Sequence, residues 1–219
     1  MAASFILRAT AAATLLLLGV SAQSAITVYN TAAAFAGATA SSGTDTFTGM
    51  SVTGTTPSPL NRMAGSYAYM ATSTSGAFYA GGTTSDPFLS TNRFDDIITI
   101  TPTSSGISGI AGNFFGSDVL GSYAGGPVTL TVTDSFGMSL TQVVNASSIT
   151  SGSYMGFVSD GTITSLSIAS ASNQTAPFVW PSVDNLTLAT AAPVPEPGTW
   201  ALMALGLVGM SLTRRRRAD

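Results

Sequence analysis

The sequence predicts an all-β fold, an antiparallel β-sandwich, on three observations. About ten short segments rich in Val, Ile, Thr, Tyr and Phe recur along the chain, separated by Gly, Ser and Asp turns. Almost no stretch carries the apolar period of a helix. Hydrophobic residues make up 45% of the 219 residues and charged ones only 8%, which is too apolar for a disordered chain and enough for a core. No internal period recurs, so a solenoid or propeller is not expected.

The elements follow in order. Residues 26–29 (Ile-Thr-Val-Tyr) alternate and open the domain as a strand. Residues 31–38 suit one or two helical turns capped by Asn30 or Thr31. Residues 39–59 are rich in Ser, Thr and Gly, with weak strand signals at Thr46-Phe47 and Ser51-Val52, and read as mostly loop. Residues 67–71 and 77–79 flank a Ser/Thr/Gly turn and predict a hairpin. Residues 97–100 form a strand that ends at Pro102, and residues 107–115 another, interrupted by Gly109 and Gly112. Residues 128–133 alternate strictly between apolar residues and threonine. With the turn 134–137 and the return 138–144, they make the clearest hairpin in the chain. Residues 154–158, 163–169 and 183–189 complete the set.

Charge narrows the function classes. The chain has no Lys, His or Cys. Residues 26–192 hold two arginines, Arg62 and Arg93, against eight aspartates, a net charge of −6. Two cations do not neutralise a phosphate backbone, so no nucleic-acid partner is expected. Imidazole and thiolate chemistry, catalytic or metal-binding, is excluded by composition. Carboxylates, hydroxyls and amides remain, so no catalytic residue and no metal site is assigned. No cofactor is expected, and calcium is the one ion whose oxygen ligands the domain offers in excess. The adjacent pair Asp95-Asp96 reads foremost as a solvated turn with one carboxylate facing Arg93. Asp184, by strand period, shares the face of Leu186 and Leu188 and then needs an arginine, backbone amides or a cation; otherwise it caps the Pro181-Ser182 turn. Trp180, Tyr67, Tyr69, Phe78 and Tyr79 have the π-faces a sugar ring stacks on, although packing is the ordinary fate of such residues.

Both ends read as targeting segments. Residues 1–25 have the form of a signal peptide: Arg8, an apolar stretch over 9–20, and small residues that place cleavage after Ala22 or Ala25. Residues 193–219 contain Pro195-Glu196-Pro197, an apolar run over 200–212 and the cluster Arg214-Arg215-Arg216-Arg217. Thirteen residues make about 20 Å of helix at ~1.5 Å per residue, short for a core ~30 Å thick. The segment predicts a short transmembrane helix that spans by local thinning and arginine snorkelling, with the arginines cytoplasmic and residues 26–192 outside.

Pro195-Glu196-Pro197, the apolar run and the basic end, in that order at the C-terminus, resemble the PEP-CTERM sorting signal of Gram-negative bacteria. The resemblance implies recognition by an exosortase, cleavage near the Pro-Glu-Pro, and transfer to the cell surface or exopolysaccharide matrix. The Sec translocon and signal peptidase are the further expected partners, exopolysaccharide a candidate ligand, and membrane association transient. A looser resemblance spans residues 95–189, on Gly109-Ile-Ala-Gly-Asn-Phe-Phe, Val128-Thr-Leu-Thr-Val, the stretch 156–163 and 182–188. It is similar to the jelly-roll-like, carbohydrate-binding-module-type sandwiches found ahead of such tails, and implies a fold more than an activity. The expectation is a non-enzymatic glycan- or matrix-binding or structural protein of a cell surface or biofilm matrix. The alternative is a secreted polysaccharide hydrolase using paired aspartates.

Overall fold

The computed structural model describes residues 25–170 and 178–192. The signal peptide before Ala25, Pro195, Glu196, Pro197, the apolar run and the four arginines lie outside the described residues. In chain order the elements are β1 (Ile26–Tyr29), α1 (Ala32–Gly37), β2 (Thr39–Asp45), β3 (Thr55–Pro57), β4 (Leu60–Ala64), β5 (Tyr67–Ser73), β6 (Ala77–Thr83) and β7 (Asp86–Thr91). They continue with β8 (Ile97–Pro102), β9 (Gly109–Ser117), β10 (Tyr123–Ala124), β11 (Val128–Asp134), β12 (Ser139–Val144), β13 (Tyr154–Ser159), β14 (Ile163–Ser170) and β15 (Trp180–Ala191).

Two antiparallel sheets form a sandwich. The larger has the order β1-β13-β9-β15-β7-β6-β3, with β10 on β9 and β2 on β15; the smaller is β12-β11-β14-β8-β5-β4. One face of each strand turns inward. In β11 the apolar Val128, Leu130 and Val132 are buried while the threonines between them are half-exposed, as the alternation predicts. Phe47, Tyr69, Phe78, Phe114, Phe157, Ile98, Ile100 and Leu130 are fully buried between the layers. Each such side chain removed from water contributes about 1.5–3 kcal/mol. Among the described residues no helix is long and apolar enough to cross a membrane. The one helix among the described residues is the short α1, whose N-cap Thr31 accepts from the Ala34 amide.

Three expectations are corrected. Residues 39–59, read as mostly loop, hold two strands of 7 and 3 residues: β2 pairs with the end of β15, from Leu186↔Asp45 to Ala191↔Thr39, and β3 pairs with β6. β2 has no apolar alternation because its face is wet. Hydroxyl rungs join it to β15 instead, Ser41 to Thr190 at 3.0 Å and Thr44 to Thr187 at 2.8 Å. Thr46-Phe47 is not strand: Phe47 takes φ 55° and drops its ring into the core. A cost of about 1–3 kcal/mol for that backbone is offset by burial of the ring and by Asp45 Oδ1, which accepts the Phe47 amide at 2.8 Å.

Nor do residues 67–71 and 77–79 form a hairpin. β5 lies in the smaller sheet and β6 in the larger. The turn between them is a corner, held from outside the pair. Thr74 and Ser75 donate to the buried Asp96 carboxylate at 3.0 and 2.5 Å, and the Thr74 amide donates to Ile97 O. Asp96 also accepts the Arg93 amide at 3.3 Å. Its neighbour Asp95 carries the Arg93 ion pair at 2.9 Å on the surface. The adjacent acids therefore have separate structural roles, one inside and one out. We expect Asp96→Ala to cost about 1–3 kcal/mol, the penalty for stranding buried donors, read as a fall in urea midpoint. An Asp95→Asn midpoint equal to that of the unmodified protein is the matching control.

Candidate functional site

The register of the larger sheet gives the sandwich two distinct ends. β9 runs from Gly109 to Ser117, about 27 Å at ~3.4 Å per residue. At its first end, Gly109 faces Val158 and Ala189, and Ser159 faces Ile26. Ala25 is tied there by its amide to Asp160 Oδ2 at 3.1 Å, and Ala192 by its amide to Ala38 O at 3.1 Å. The chain therefore enters and leaves the sandwich at the same end. At the far end of β9, Ser117 faces Trp180 on one side and Tyr123 on the other.

A cleft of about 220 Å³ lies at the far end, lined by Tyr79, Ser90, Asn92, Ser117, Asp118 and Trp180 among others. Strand parity explains the grouping. Tyr79 is paired with Ser90, Ser90 with Ser182, and Trp180 with Ser117, so these side chains share the outer face of the sheet. The loop between β9 and β10 folds over that face. Asp118 Oδ1 accepts the amides of Leu120 and Ser122, both at 2.9 Å, and Gly121 O accepts the Gly82 amide at 2.8 Å. Under the loop, Phe88 and Phe115 pack edge-to-face at 4.9 Å.

The buried hydroxyls of Ser90 and Ser117 line the floor, and the fully buried Ser182 bonds to both. Ser182 donates to Ser117 at 2.8 Å or Ser90 at 3.0 Å, and Ser90 to Pro181 O at 3.2 Å. An aromatic flank stands at Trp180. Phe94 stacks on Phe178 at 4.2 Å and meets Trp180 edge-on at 6.0 Å. Tyr79 is fixed by its hydroxyl donating to Val52 O at 3.1 Å. The cleft thus combines a half-exposed indole, an exposed amide, hydroxyls and a carboxylate. It is smaller than the ~300–1,000 Å³ that encloses a drug-sized ligand, and suits one ring at its mouth.

The loop depends on a glycine. A Cβ at Gly81 would lie 2.3 Å from the Phe88 ring and 2.9 Å from Gly121 O. We expect Gly81→Ala to lift the loop and lower stability by about 1–3 kcal/mol through overpacking. The check is a urea midpoint set against Gly54→Ala, where the added carbon meets nothing within 4 Å.

A larger groove of about 690 Å³ lies at the opposite end, lined by Thr27, Tyr29, Ala38, Ser108, Asp160 and Ala191 among others. Its walls are mostly small side chains and the two points where the chain enters and leaves. Size alone favours this groove, but the convergent polar and aromatic groups are in the smaller cleft, and those decide recognition.

The sequence candidates separate accordingly. Tyr69 and Phe78 are core residues, and Tyr67 is half-buried with its hydroxyl against Ser41. Tyr79 and Trp180 meet at the cleft, a pairing the sequence does not reveal. Asn92, Asp118 and the three serines carry no motif; the legible trace is the exposed Val119-Leu120 beside Gly121, where a β-protein has no structural need for two surface aliphatics. Among the described residues, no three acidic side chains come together as a metal cage.

Asp184 is placed differently from the strand-period expectation. Val183, Leu186 and Leu188 all face the core. An irregularity between Asp184 and Thr187, with Asn185 at φ 52°, adds a residue and inverts the parity. Asp184 is 7% exposed, off the core face, and accepts the Asn185 amide at 2.7 Å and the Asn185 side chain at 3.0 Å. Neither arginine reaches it. Burial raises its pKa against the pull of the Asn185 amide, and Asp86 and Asp45 add to the rise. A raised folded pKa means that stability is lost as pH climbs from the unfolded value near 4 through the folded one. We expect Asp184→Asn to be at least as stable as the unmodified protein at pH 7, with the gain vanishing at pH 3–4 in thermal melts.

Residues 193–217 match the family model described as the PEP-CTERM protein-sorting motif. This is the exosortase substrate signal, and the sandwich stands directly before it. Against curated proteins and against solved structures, the chain has no match.

Proposed function

We propose that this is a non-enzymatic surface or matrix protein of a Gram-negative bacterium whose sandwich binds glycan at the far-end cleft. The PEP-CTERM motif makes it an exported protein, at the cell surface or outside the cell, with an exosortase as its processing partner. The finer course is part of the proposal: export through the Sec translocon, removal of residues 1–25 by signal peptidase, and a transient hold at the inner membrane by the apolar tail. Cleavage then delivers the sandwich to an exopolysaccharide or biofilm matrix. The jelly-roll likeness belongs to the same reading, supported by a chain that changes sheets at β3–β4, β5–β6, β7–β8, β8–β9, β10–β11, β12–β13, β13–β14 and β14–β15.

The observation that carries the binding role is the cleft itself. A saccharide offers an apolar ring face and a rim of hydroxyls. Trp180 supplies the stacking surface, and Asn92, Asp118 and the hydroxyls supply directional partners. The cleft is also at the end remote from the sorting motif, where a long polymer has room.

The non-enzymatic reading is supported by how the aspartates are engaged. Asp45 and Asp95 hold arginines. Asp96, Asp118 and Asp134 organise turns. Asp160 holds Ala25, and Asp184 binds its neighbour Asn185. Each of these seven has a structural task that a general acid or nucleophile does not need; the eighth, Asp86, is exposed at the start of β7 and is one carboxylate where the hydrolase reading needs two.

The test is a glycan array with purified residues 26–192, run with calcium and with chelator. We expect retention of a polysaccharide that falls about tenfold, equivalent to ~1.4 kcal/mol, on Trp180→Ala. An array without any retained glycan would reduce the sandwich to a structural component.

A further inference from the structure

The end of the sandwich where the chain enters and leaves carries a rigid apolar tip. It is the turn between β11 and β12. Asp134 Oδ1 accepts the amides of Phe136 and Met138, both at 3.0 Å, and the Asp134 amide donates to Met138 O at 3.0 Å. Ser135 bridges to Thr162 through its amide, at 2.8 Å, and its hydroxyl, at 3.1 Å. The Phe136 ring lies over Gly161, where an added Cβ would come within 2.6 Å of it. Phe136 is nevertheless 63% exposed and Met138 41%. Five hydrogen bonds and a glycine contact thus hold two large apolar side chains out in water. An apolar surface displayed on a fixed scaffold is the mark of a contact site.

The location of the tip identifies what it contacts. Ser159, the last residue of β13, donates to Asp134 Oδ2 at 2.6 Å, and its neighbour Asp160 holds Ala25. Ser108 ties the same end to Ala191, whose amide it accepts at 2.5 Å. From Ala192 to Trp200, where the apolar tail begins, is eight residues. Such a chain spans at most about 28 Å. A bilayer that holds the tail therefore lies within about 28 Å of this end.

Two acids lie at this end: Asp134 is buried beneath its own turn, and the exposed Asp160 is bonded to the Ala25 amide.

We propose that the Phe136–Met138 tip seats in the interfacial layer of the bilayer that holds the sorting tail, orienting the unprocessed protein with its cleft outward. The seat rests on the membrane reading of the tail. It acts through buried apolar area rather than charge, because no cation is available there. After cleavage a single Phe-Met tip is too small an anchor, so the seat releases with the tail.

The chain contains no cysteine, so single probes are readily placed. The full chain is reconstituted in phosphatidylethanolamine–phosphatidylglycerol vesicles with an environment-sensitive fluorophore at Ser135→Cys, Asn92→Cys or Ala204→Cys. The expected result is a blue-shifted probe at 135, quenched by brominated lipid and shielded from iodide, with the probe at 92 in water and that at 204 in lipid. Adding Phe136→Ser and Met138→Ser should return the 135 probe to water, leave the 204 probe in lipid and keep the thermal midpoint. A 135 probe in water while 204 is in lipid overturns the seat and leaves the tail reading intact. A 204 probe in water overturns the tail reading and the seat with it. A 135 probe shielded only when an exosortase is co-reconstituted replaces the lipid seat with a protein one.

Discussion

Replacing Asp45 with Asn is expected to cost about 3–5 kcal/mol, the penalty for breaking a buried ion pair from one side. Asp45 ends β2 and is almost fully buried. It accepts from Arg62 Nε at 2.6 Å and Nη2 at 2.8 Å, from the Tyr69 hydroxyl at 2.7 Å and from the Phe47 amide at 2.8 Å. Arg62 also lies 5.5 Å from the centre of the Phe47 ring. One carboxylate thus ties β2 in the larger sheet to β4 and β5 in the smaller, and fixes the left-handed Phe47. An amide keeps the shape but loses the charge, leaving Arg62 without its counter-ion. Domains of this size have only about 5–15 kcal/mol in total, so the variant approaches the unfolding threshold at growth temperature.

The same site sets acid sensitivity. Burial pushes the Asp45 pKa up, but the Arg62 and Tyr69 hydrogen bonds, the Phe47 amide and the Arg62 charge together outweigh it and hold the pKa below normal. A depressed folded pKa gives stability that is complete above the unfolded value near 4 and is lost as pH falls through the folded one. Urea midpoints from pH 7 to pH 2 should show the Asp45→Asn deficit at neutral pH shrinking below about pH 4. A deficit of constant size across that range would mean that packing, not the ion pair, carries the effect.

The second large effect is on sorting. Glu196→Ala in Pro195-Glu196-Pro197 should stop processing, so that the protein stays in the membrane fraction at unprocessed size. The change touches nothing in the described sandwich, which should keep its urea midpoint. Fractionation and blotting of cells that carry the exosortase check this. Normal processing of the variant would count heavily against the glutamate as the recognised group. Loss of Arg214–Arg217 should act differently, by weakening the positive-inside orientation rather than the cleavage motif.

How much was legible varies along the chain for physical reasons. β11 and β12 could be read because a two-residue period records one wet and one dry face. β2 could not, since both its flank and its partner are held by hydroxyl rungs, and Ser and Thr serve loops as readily as strands. The false hairpin at 67–79 shows a different limit. A Ser/Thr/Gly turn allows a reversal within one sheet or a corner between two. Asp96, twenty residues further on, selects the corner. Asp184 was misplaced by one residue because a bulge at Asn185 inverts every face assignment beyond it.

The sequence by itself determined the sorting address, the all-β class, the absence of imidazole and thiolate chemistry and the clearest strands. These depend on composition and short-range order, which a linear string holds completely. The tertiary structure alone decided which end of the sandwich faces the tail, which sheet each strand joins, and that Tyr79, Asn92, Asp118 and Trp180 share a cleft. Those four residues span about one hundred positions, from Tyr79 to Trp180, and meet only through strand register. Register is set by the whole pattern of inward-facing side chains and not by any one segment.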